Sequence, residues 1–572
     1  MAERRLEIGA GLGDTLATLP AAYALAAKGV KVEIAALQPG GGVKWRTDSL
    51  PTLKVFGNGH VSPYAEAFEF WSRTDWGANR PMVDQVARIV GTEIRDTPRT
   101  ALLRATPEHE RTARKLVGNS PYVVIAPEGS WHGSGNKLYS QDQVRAVVRA
   151  CHGRAEAVLC HFEPLHYRDT GALDLCGKTS LDEFVALVAC AKAVVSTDTG
   201  SAHLAGAFNK PLLCATGPSI NPYCIALDYL PSVFLKAPLD VKNNDPALLR
   251  QWTSAVLDVA DARVCMVAPD RWPCGVVDVA RRLSAALGCD LRTWDDDLSD
   301  VDAVVCQYHP ADSIAWSKWR RRWGDVPRVW DVHKPDELPA DGAPCIVHWT
   351  QYAGNVPGHR TRFIPLPTWE VPAEQWGPRP GATPRVIAWH GMVREHKGLE
   401  ALVRVFEQQV RPAVPDAELR LYGTTGPRIC DPALVSWLRG LRVDGLTVDL
   451  REEWSQDELQ AALAEADVYV YLDTPESGRE QSACSPAVLG FKRPVVVSES
   501  SCHQDLQDWT RTAHRGAEGD ALVELLTSAP AYAQACQWVE YGAEFRSPEL
   551  VAQQYRGMAQ QAMLNDIIKR GV

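Results

Sequence analysis

The sequence predicts an α/β protein with four doubly wound, Rossmann-like domains arranged in two pairs. Short apolar runs alternate with amphipathic helical stretches along all 572 residues, which is typical of parallel sheets covered by helices. A new series of strands and helices starts near residue 263. A prior of roughly 150 residues per domain also favours about four folding units. We therefore expect domains at residues 1–115, 116–260, 261–378 and 379–572.

We call residues 1–260 the N-terminal half and residues 261–572 the C-terminal half. In the N-terminal half, the pattern predicts strands at Leu6–Gly9, Val32–Ala36, Tyr122–Ala126, Ala157–Cys160, Ala193–Ser196 and Pro211–Ala215. In the C-terminal half, it predicts strands at Arg263–Val267, Val301–Gln307, Val329–His333, Val386–His390, Glu418–Tyr422, Val468–Leu472 and Pro494–Ser498. The Pro- and Gly-rich segment Thr368–Pro384 is predicted to be a linker, and the C-terminal tail to be helical.

The composition restricts the class of protein. Apolar residues make up 45% and charged residues 23%, which is ordinary for a globular protein. A net charge of −10 opposes chain-wide affinity for nucleic acid or anionic lipid. The 15 cysteines are scattered, without a C-x-x-C pair, which favours reduced thiols. Neither a signal peptide nor an apolar stretch of about 18 residues is found, so we expect a cytoplasmic protein without stable membrane insertion.

The two halves share a pattern near the end of each. Val194–Thr199 and Tyr469–Thr474 are both strands that end in Asp-Thr, and each precedes a helix of small residues. A basic residue and a proline then introduce the next strand in both halves. Because open parallel sheets bind ligands at the carboxyl ends of their strands, both Asp-Thr turns are expected at a ligand edge. Two unrelated sheets with generic features would explain the same pattern.

The segment Asp198–Ala205 carries the strongest chemical signal. A strand ends, Gly200 permits a tight turn, and a helix of small residues begins. Free backbone N–H groups at a helix start, together with the helix dipole, favour a diphosphate. Thr199 and Ser201 add hydroxyl groups, and His203 lies in the first turn.

About residues 1–250 resemble the bacterial heptosyltransferases of glycosyltransferase family 9. The motifs that carry the resemblance are Gly11–Leu16 with Leu19-Pro20, Ile125–Ser130 with Lys137, Cys176–Phe184, Asp198–Ala205 with Lys210-Pro211, and Gly217-Pro218. The resemblance implies the GT-B fold, in which the second Rossmann domain holds most of the donor.

The same resemblance implies roles for individual residues. The Gly13-Asp14 pair places Asp14 as the general base that takes a proton from the acceptor hydroxyl. Lys137 is expected to neutralise charge on the leaving phosphates. The resemblance implies a donor pocket that contains Gly13, Lys137, Asp198, Thr199, Gly200, Ser201 and His203. The alternatives are a helix-capping Asp14 and a solvated surface Lys137. The first domain is short for the family, so the acceptor need not be a lipopolysaccharide core.

About residues 262–540 are similar to glycosyltransferase family 4. The strand and turn Ile387–Gly398 contain Gly391, Arg394 and Lys397, and Met392 stands where the family has arginine. Farther on, Glu476 or Glu480, with Ser482, is similar to the family's Glu-x7-Glu region. The resemblance implies a second donor site at these residues. The position of the second glutamate, which usually holds the ribose, aligns with Ala487, so an altered pocket or a degenerate, structural half are the alternatives.

Two further motifs have a purely structural explanation as well as a functional one. Asp295, Asp296 and Asp297 are similar to an Asp-x-Asp metal site, but they lie in a polar loop typical of a solvated turn, and we predict no metal. In the stretch 316–323, three tryptophans share one helical face: Trp316, Trp319 and Trp323. Lys318, Arg320, Arg321 and Arg322 lie mostly on another. We expect the tryptophans to pack on the sheet, and the alternative is a basic surface for phosphates of nucleic acid or membrane.

The leading hypothesis is a metal-independent glycosyltransferase with two GT-B units. It takes a sugar from a nucleotide-sugar, used as co-substrate with no other cofactor, to a hydroxyl of a cell-envelope glycan or lipid-linked saccharide. A second hypothesis makes hydroxymethylated bases in DNA the acceptor, as in phage transferases. A third is a sugar-nucleotide-binding scaffold with a degenerate second unit. The sequence does not identify the donor nucleotide, the sugar, the stereochemical outcome or the oligomeric state.

Overall fold

The computed structural model describes most of the chain in separate segments. The described residues are 3–8, 12–27, 30–37, 43–46, 65–68, 82–94, 102–129, 137–217, 230–236, 241, 244–269, 275–308, 313–324, 326–333, 339, 341–348, 361–379, 383–426, 430–474, 482–507 and 509–570. A few helix and strand residues, among them Asp14, are described in their backbone alone.

The first sheet has four strands within the described residues. They are β1 (Glu3–Ile8), β2 (Lys31–Leu37), β3 (Val43–Arg46) and β4 (Ala65–Phe68), in the order β3-β2-β1-β4. The helices are α1 (Leu12–Ala27) and α2 (Met82–Ile89). Strands β1, β2 and β4 are parallel, whereas β3 pairs with β2 in antiparallel fashion. This sheet therefore differs from the wholly parallel arrangement that we expect from the sequence.

The second sheet has six parallel strands in the order β10-β9-β8-β5-β6-β7. They are β5 (Tyr122–Ala126), β6 (Glu156–Leu159), β7 (Leu173–Asp174), β8 (Ala193–Thr197), β9 (Leu212–Thr216) and β10 (Ser232–Lys236). The helices are α3 (Pro107–Val117), α4 (Gln141–Cys151), α5 (Leu181–Cys190), α6 (Gly200–Ala207) and α7 (Pro246–Ala260). Ser and Thr residues cap α3, α4 and α5 in capping boxes, which fixes where these helices start.

The third sheet also has six parallel strands, in the order β12-β11-β13-β14-β15-β16. They are β11 (Val264–Val267), β12 (Leu291–Arg292), β13 (Ala303–Tyr308), β14 (Arg328–Val332), β15 (Cys345–Val347) and β16 (Thr361–Phe363). The helices are α8 (Gly275–Leu287) and α9 (Ser313–Trp323).

The fourth sheet has six parallel strands in the order β19-β18-β17-β20-β21-β22. They are β17 (Val386–Met392), β18 (Glu418–Thr424), β19 (Leu446–Arg451), β20 (Val468–Tyr471), β21 (Val495–Ser498) and β22 (Arg511–Ala513). The helices are α10 (Leu399–Val405), which continues through Phe406–Val410 and Arg411–Ala413, α11 (Pro432–Gly440), α12 (Gln456–Leu463), α13 (Cys484–Val488) and α14 (Glu518–Thr527). Short 3-10 turns lie at Ala373–Gln375, Glu395–Lys397, Leu489–Phe491 and Ser501–His503.

The second and fourth sheets have the same topology. When the strands of each sheet are numbered in chain order, both read 3-2-1-4-5-6, the order of dinucleotide-binding Rossmann sheets. The third sheet reads 2-1-3-4-5-6 and the first 3-2-1-4. The predicted parallel α/β sheets are thus confirmed for three sheets, and each predicted strand overlaps an observed one.

The last two helices return to the other sheets. Helix α15 (Ala529–Phe545) places Phe545 against Tyr23 of α1, with ring centroids 4.9 Å apart. Helix α16 (Pro548–Lys569) reaches the third sheet, where the Tyr555 hydroxyl donates to Asp331 at 2.9 Å. It then reaches the second sheet, whose core includes Leu564. The predicted helical tail therefore helps to build the cores of three other sheets.

The predicted linker at Thr368–Pro384 is packed where it is described. Trp369 and Val371 are buried in the core of the fourth sheet, and the Trp369 N–H donates to the Ala487 carbonyl at 3.0 Å. The aromatic side chain thus makes this segment part of that core.

Among the described helices, none is both long and apolar enough to cross a membrane.

Candidate functional site

The carboxyl edge of the second sheet brings the predicted donor residues together. Strand β8 ends at Thr197, and Asp198 and Thr199 form the turn into α6, which begins at Gly200. The Thr199 hydroxyl lies 2.6 Å from that of Ser201, which lies 2.7 Å from that of Ser196. Thr199 makes no side-chain cap bond to α6, and its backbone carbonyl accepts from the Ala202 N–H at 3.0 Å. The N–H groups before Ala202 have no partner within the helix, so they are suited to an anion.

A lysine and an aspartate form an ion pair at this edge. Lys137 Nζ lies 2.8 Å from Oδ2 of Asp198 and 2.8 Å from its backbone carbonyl. The Lys137 side chain is 27% exposed, whereas that of Asp198 is 8% exposed. An ammonium group has three N–H donors, so one remains for a group in the cleft. Lys137 therefore lies at the predicted edge as a half-buried cation and not as a solvated surface residue.

His203 lies where α6 meets α1. A Cβ atom at Gly13 would lie 2.6 Å from Cδ2 of His203, so the two helices approach each other at the residue before Asp14. The side chain of Asp14 itself lies outside the described part of the structure. Burial lowers the pKa of His203 to about 4, although nearby Asp198 opposes the shift. The imidazole is therefore neutral at physiological pH.

The carboxyl edge of the fourth sheet has a matching ion pair. Lys397 Nζ lies 2.6 Å from Oδ1 of Asp473, which is two residues beyond the end of β20. Nε2 of His503 lies 3.0 Å from Oδ2 of the same carboxylate, and its Nδ1 lies 3.0 Å from the Ser485 hydroxyl. Strands β5 and β17 are topologically equivalent, as are β8 and β20, so the two Lys–Asp pairs occupy equivalent places.

Charges in this second cluster are strongly coupled. Burial alone lowers the pKa of His503, but Cys502 and Asp473 outweigh it and raise the pKa to about 9. Burial favours protonated Asp473, but Lys397 and His503 hold the pKa of this carboxyl well below its usual range. At physiological pH the cluster thus contains two cations and one anion. His503 was not predicted, and no sequence motif marks it.

The other residues predicted in the C-terminal half are placed as follows. Gly391 has φ +148°, and a Cβ there would lie 3.3 Å from the Trp389 ring. Arg394 caps the turn that carries Lys397. The Ser482 N–H donates to the Cys502 carbonyl at 3.1 Å. Glu476 and Glu480 lie outside the described residues.

A third polar cluster, which the sequence does not predict, lies at the carboxyl edge of the third sheet. Asp331 accepts hydrogen bonds from Gln307 at 2.5 Å, from Tyr555 at 2.9 Å and from His348 Nε2 at 2.7 Å. His348 Nδ1 donates to the Ile364 carbonyl at 2.7 Å. The ligand atoms of Asp331, His333 and His348 lie within 4.8 Å of one another. Both nitrogens of His348 thus face oxygen atoms of the protein, so hydrogen bonds within the protein satisfy this ring.

Two weaker signals are explained by local structure. The Asp296 carboxylate accepts from the Thr293 N–H at 2.6 Å, and that of Asp297 accepts from the Ser299 N–H at 2.9 Å, as expected of a solvated turn. In α9, Trp319 is buried against Trp294 and Trp330. This confirms the packing of that tryptophan on the sheet.

One cation of α9 contacts an acidic loop. Lys318, Arg321 and Arg322 are exposed, and Arg322 Nη1 donates to the Asp295 carbonyl at 3.2 Å. The carboxylates of the neighbouring loop reduce the positive potential of this surface. The side chains of Trp316 and Arg320 lie outside the described part of the structure.

The sequence of residues 79–221 matches the model of glycosyltransferase family 9 (heptosyltransferase). The chain is 48% identical over 46 residues to lipopolysaccharide heptosyltransferase 2 of Escherichia coli K12, covering 8% of this chain and 13% of that protein. It is 45% identical over 120 residues to lipooligosaccharide heptosyltransferase 2 of Haemophilus influenzae, covering 19% of this chain and 33% of that protein. It is 30% identical over 154 residues to lipopolysaccharide heptosyltransferase 2 of Salmonella typhimurium, covering 27% and 37%. The chain thus spans little more than a third, at most, of these relatives.

Solved structures with some likeness include Escherichia coli ADP-heptose lipopolysaccharide heptosyltransferase II. The TM-score is 0.35 at 16% identity, over 46% of this chain and 100% of that one. Another is WaaG, a glycosyltransferase involved in lipopolysaccharide biosynthesis, with a TM-score of 0.36 at 11% identity, over 52% and 99%. From the sequence match, residues 79–221 carry a glycosyltransferase family 9 (heptosyltransferase) segment, which includes Lys137, Asp198 and α6.

Proposed function

We propose that the chain is a glycosyltransferase whose N-terminal half takes a sugar from a nucleotide-sugar to a hydroxyl of a cell-envelope glycan or lipid-linked saccharide. The observation that carries this proposal is the Lys137–Asp198 pair beside the start of α6. It lies at the ligand edge of a Rossmann-type sheet and inside the segment that matches the heptosyltransferase family.

The proposed chemistry at this edge is displacement of the diphosphate from the anomeric carbon by the acceptor oxygen. The acceptor oxygen attacks the anomeric carbon, the bond from that carbon to the diphosphate oxygen breaks, and the acceptor proton passes to the Asp14 carboxylate. The leaving nucleoside diphosphate carries the negative charge away. Lys137 and the N–H groups of α6 stabilise that charge, which removes the need for a divalent ion or a further cofactor.

We infer further that the chain consists of two GT-B units in tandem. Three observations support this arrangement. The second and fourth sheets share the strand order 3-2-1-4-5-6. Both have a Lys–Asp pair at equivalent strand ends. Equivalent helix starts also meet in the two halves. Gly13 of α1 lies against Gly200 and His203 of α6 in the N-terminal half, and Gly275 of α8 lies against Ala483, just before α13, in the C-terminal half.

The C-terminal half has the fold of a donor site without all of its groups. Lys397 is present, but Ala487 stands where a ribose-binding glutamate is expected, and Ala487 is buried in the core. A buried alanine supplies no hydrogen bond to a ribose hydroxyl. We therefore assign donor binding to the N-terminal half and a supporting role to the C-terminal half.

A glycan acceptor fits the surface of α9 better than DNA does. The tryptophan face is buried at Trp319, so it offers no stacking platform there, and Arg322 donates to the loop of aspartates at Asp295. Filter binding with plain and hydroxymethylated duplexes at two salt concentrations tests this choice. Tight, modification-dependent binding that falls steeply with salt would favour DNA.

A donor screen on the full chain tests the main proposal. The thermal shift produced by UDP-, ADP-, GDP- and CMP-sugars is measured for the natural protein and for the matched variants Lys137→Met and Lys397→Met. One donor class should stabilise the natural protein and Lys397→Met, and Lys137→Met should lose that shift. If Lys397→Met alone loses the shift, the donor site lies in the C-terminal half. If no donor stabilises the natural protein, the proposal fails.

A further inference from the structure

The helices α1 and α6 approach so closely that a methyl group would clash at Gly13 and would be tightly packed at Gly200. A Cβ atom at Gly13 would lie 2.6 Å from Cδ2 and 3.3 Å from Nε2 of His203. One at Gly200 would lie 3.2 Å from Cβ of Leu12. The first of these distances is too short for carbon atoms in contact, so a methyl group at Gly13 has to displace the imidazole or the helix.

The equivalent contact in the C-terminal half is looser. A Cβ atom at Gly275 would lie 3.5 Å from Cβ of Ala483, which is an ordinary van der Waals contact. The close approach is therefore specific to the N-terminal half, where an imidazole fills the space between the two helices.

The imidazole is also buried. His203 is 6% exposed, and besides burial the charges of Asp198 and Lys137 affect the pKa of its ring, so the ring lies near the donor-edge ion pair as well as near Gly13. A buried ring with few rotamers transmits displacement to its neighbours more directly than a flexible chain end does. Asp14 follows Gly13 in the same helical turn, so a shift at Gly13 moves the backbone that carries the candidate base.

We propose that His203 is a positioning residue that sets the separation between α1 and α6 by packing on Gly13. The inference rests on the proposed function, and it adds a steric role to the donor-pocket role that the sequence predicts for His203. A fixed separation matters because displacing a reacting group by about 1 Å can cost about 100-fold in rate.

A double-mutant cycle tests whether His203 is the spacer that separates α1 from α6. Gly13→Ala should lower kcat by about tenfold or more, with the donor KM within about threefold, because helix placement and not donor affinity is disturbed. In a His203→Ala background the new methyl group enters the space left by the ring. The same change should then alter kcat by less than about twofold. Gly275→Ala is the matched control and should leave kcat unchanged. Equal losses from Gly13→Ala in both backgrounds would overturn the proposal.

Hydrogen exchange separates this proposal from the proposed function. Without donor, Gly13→Ala should speed amide exchange in α6 by about fivefold or more, and neither Gly275→Ala nor the double variant should do so. If the natural protein transfers no sugar but this exchange pattern appears, the proposed function fails and the spacer stands. If exchange in α6 is the same in Gly13→Ala as in the natural protein, the spacer is wrong whatever the activity.

Discussion

The ligand edges of the second and fourth sheets have the same Lys–Asp pair but different surroundings. Asp198 and Lys137 are 8% and 27% exposed, whereas Asp473 and Lys397 are 0% and 13% exposed. The histidine near the first pair is neutral at physiological pH, and the one bound to the second pair is cationic. One edge is thus partly open and balanced in charge, and the other is sealed and carries a net positive charge.

Under the proposed function, this difference distinguishes an edge that binds a ligand from an edge whose charges stabilise their own domain. In the N-terminal half, a lysine donor and the start of α6 remain for a diphosphate. In the C-terminal half, Lys397 and His503 bind the Asp473 carboxylate, and the Ser498 hydroxyl donates to the Asp473 backbone carbonyl. Asp473 therefore ties together the segments that follow β17, β20 and β21. Breaking such a buried network leaves an uncompensated charge, which is costly.

The largest effect is expected on stability, from removing each lysine in turn. Lys397→Met should lower the free energy of unfolding by about 3–5 kcal/mol, because Asp473 loses a partner in a buried site. Lys137→Met should cost at most about 1 kcal/mol, because its pair is partly exposed. Chemical denaturation of both variants measures the contrast. Equal losses would mean that the two edges do not differ as the structure indicates.

The next effect concerns turnover. Asp14→Asn should lower the rate of transfer by about 100-fold or more while donor affinity stays intact, because only the proton acceptor is lost. Steady-state rates and calorimetric donor titration check both parts. Turnover close to that of the natural protein would remove Asp14 as the base and would reopen the C-terminal half as the active unit.

The two histidines should give the protein opposite pH limits. His503 has a folded pKa of about 9, above its ordinary value of 6.5, so its contribution to stability is full below pH 6.5 and is lost as the pH rises through about 9. His203 has a folded pKa of about 4, so its contribution is full above pH 6.5 and is lost as the pH falls through about 4.

The denaturant concentration at the midpoint of unfolding, measured across the pH range between those two limits, tests both directions of change. His503→Gln should flatten the alkaline decline and leave the acidic one, and His203→Gln should do the reverse. If His503→Gln flattens the acidic decline, or His203→Gln the alkaline decline, the substituted histidine is not in the assigned charge state.

The sequence predicts the long strands that alternate with helices far better than it predicts the short strands and the residues at the ligand edges of the sheets. The strong apolar runs are in place, whereas β7 and β12 have two residues each and leave no pattern. Lys137 and Lys397 follow from motifs. His503 does not, because it pairs with a residue 30 positions earlier and only tertiary packing brings the two together. The sequence also predicts that the C-terminal tail is helical but not where it packs, because α16 is buried on several sides and lacks the one-sided apolar stripe of a surface helix.

The smallest expected effect is that of a chelator. Transfer should be unchanged in EDTA, because Lys137 and the start of α6 supply positive charge at the place where the leaving diphosphate forms. The aspartates around Asp296 are engaged in turn hydrogen bonds, so they are poorly disposed to hold a magnesium ion. Rates measured with EDTA, and again after addition of magnesium or manganese, check this expectation.

The same measurement on Lys137→Met shows what the lysine contributes. If a divalent ion restores part of the activity of this variant, the ion replaces the lost cation, and positive charge at this edge is what the reaction requires. Loss of transfer by the natural protein in EDTA, reversed by either ion, would contradict the metal-independent mechanism.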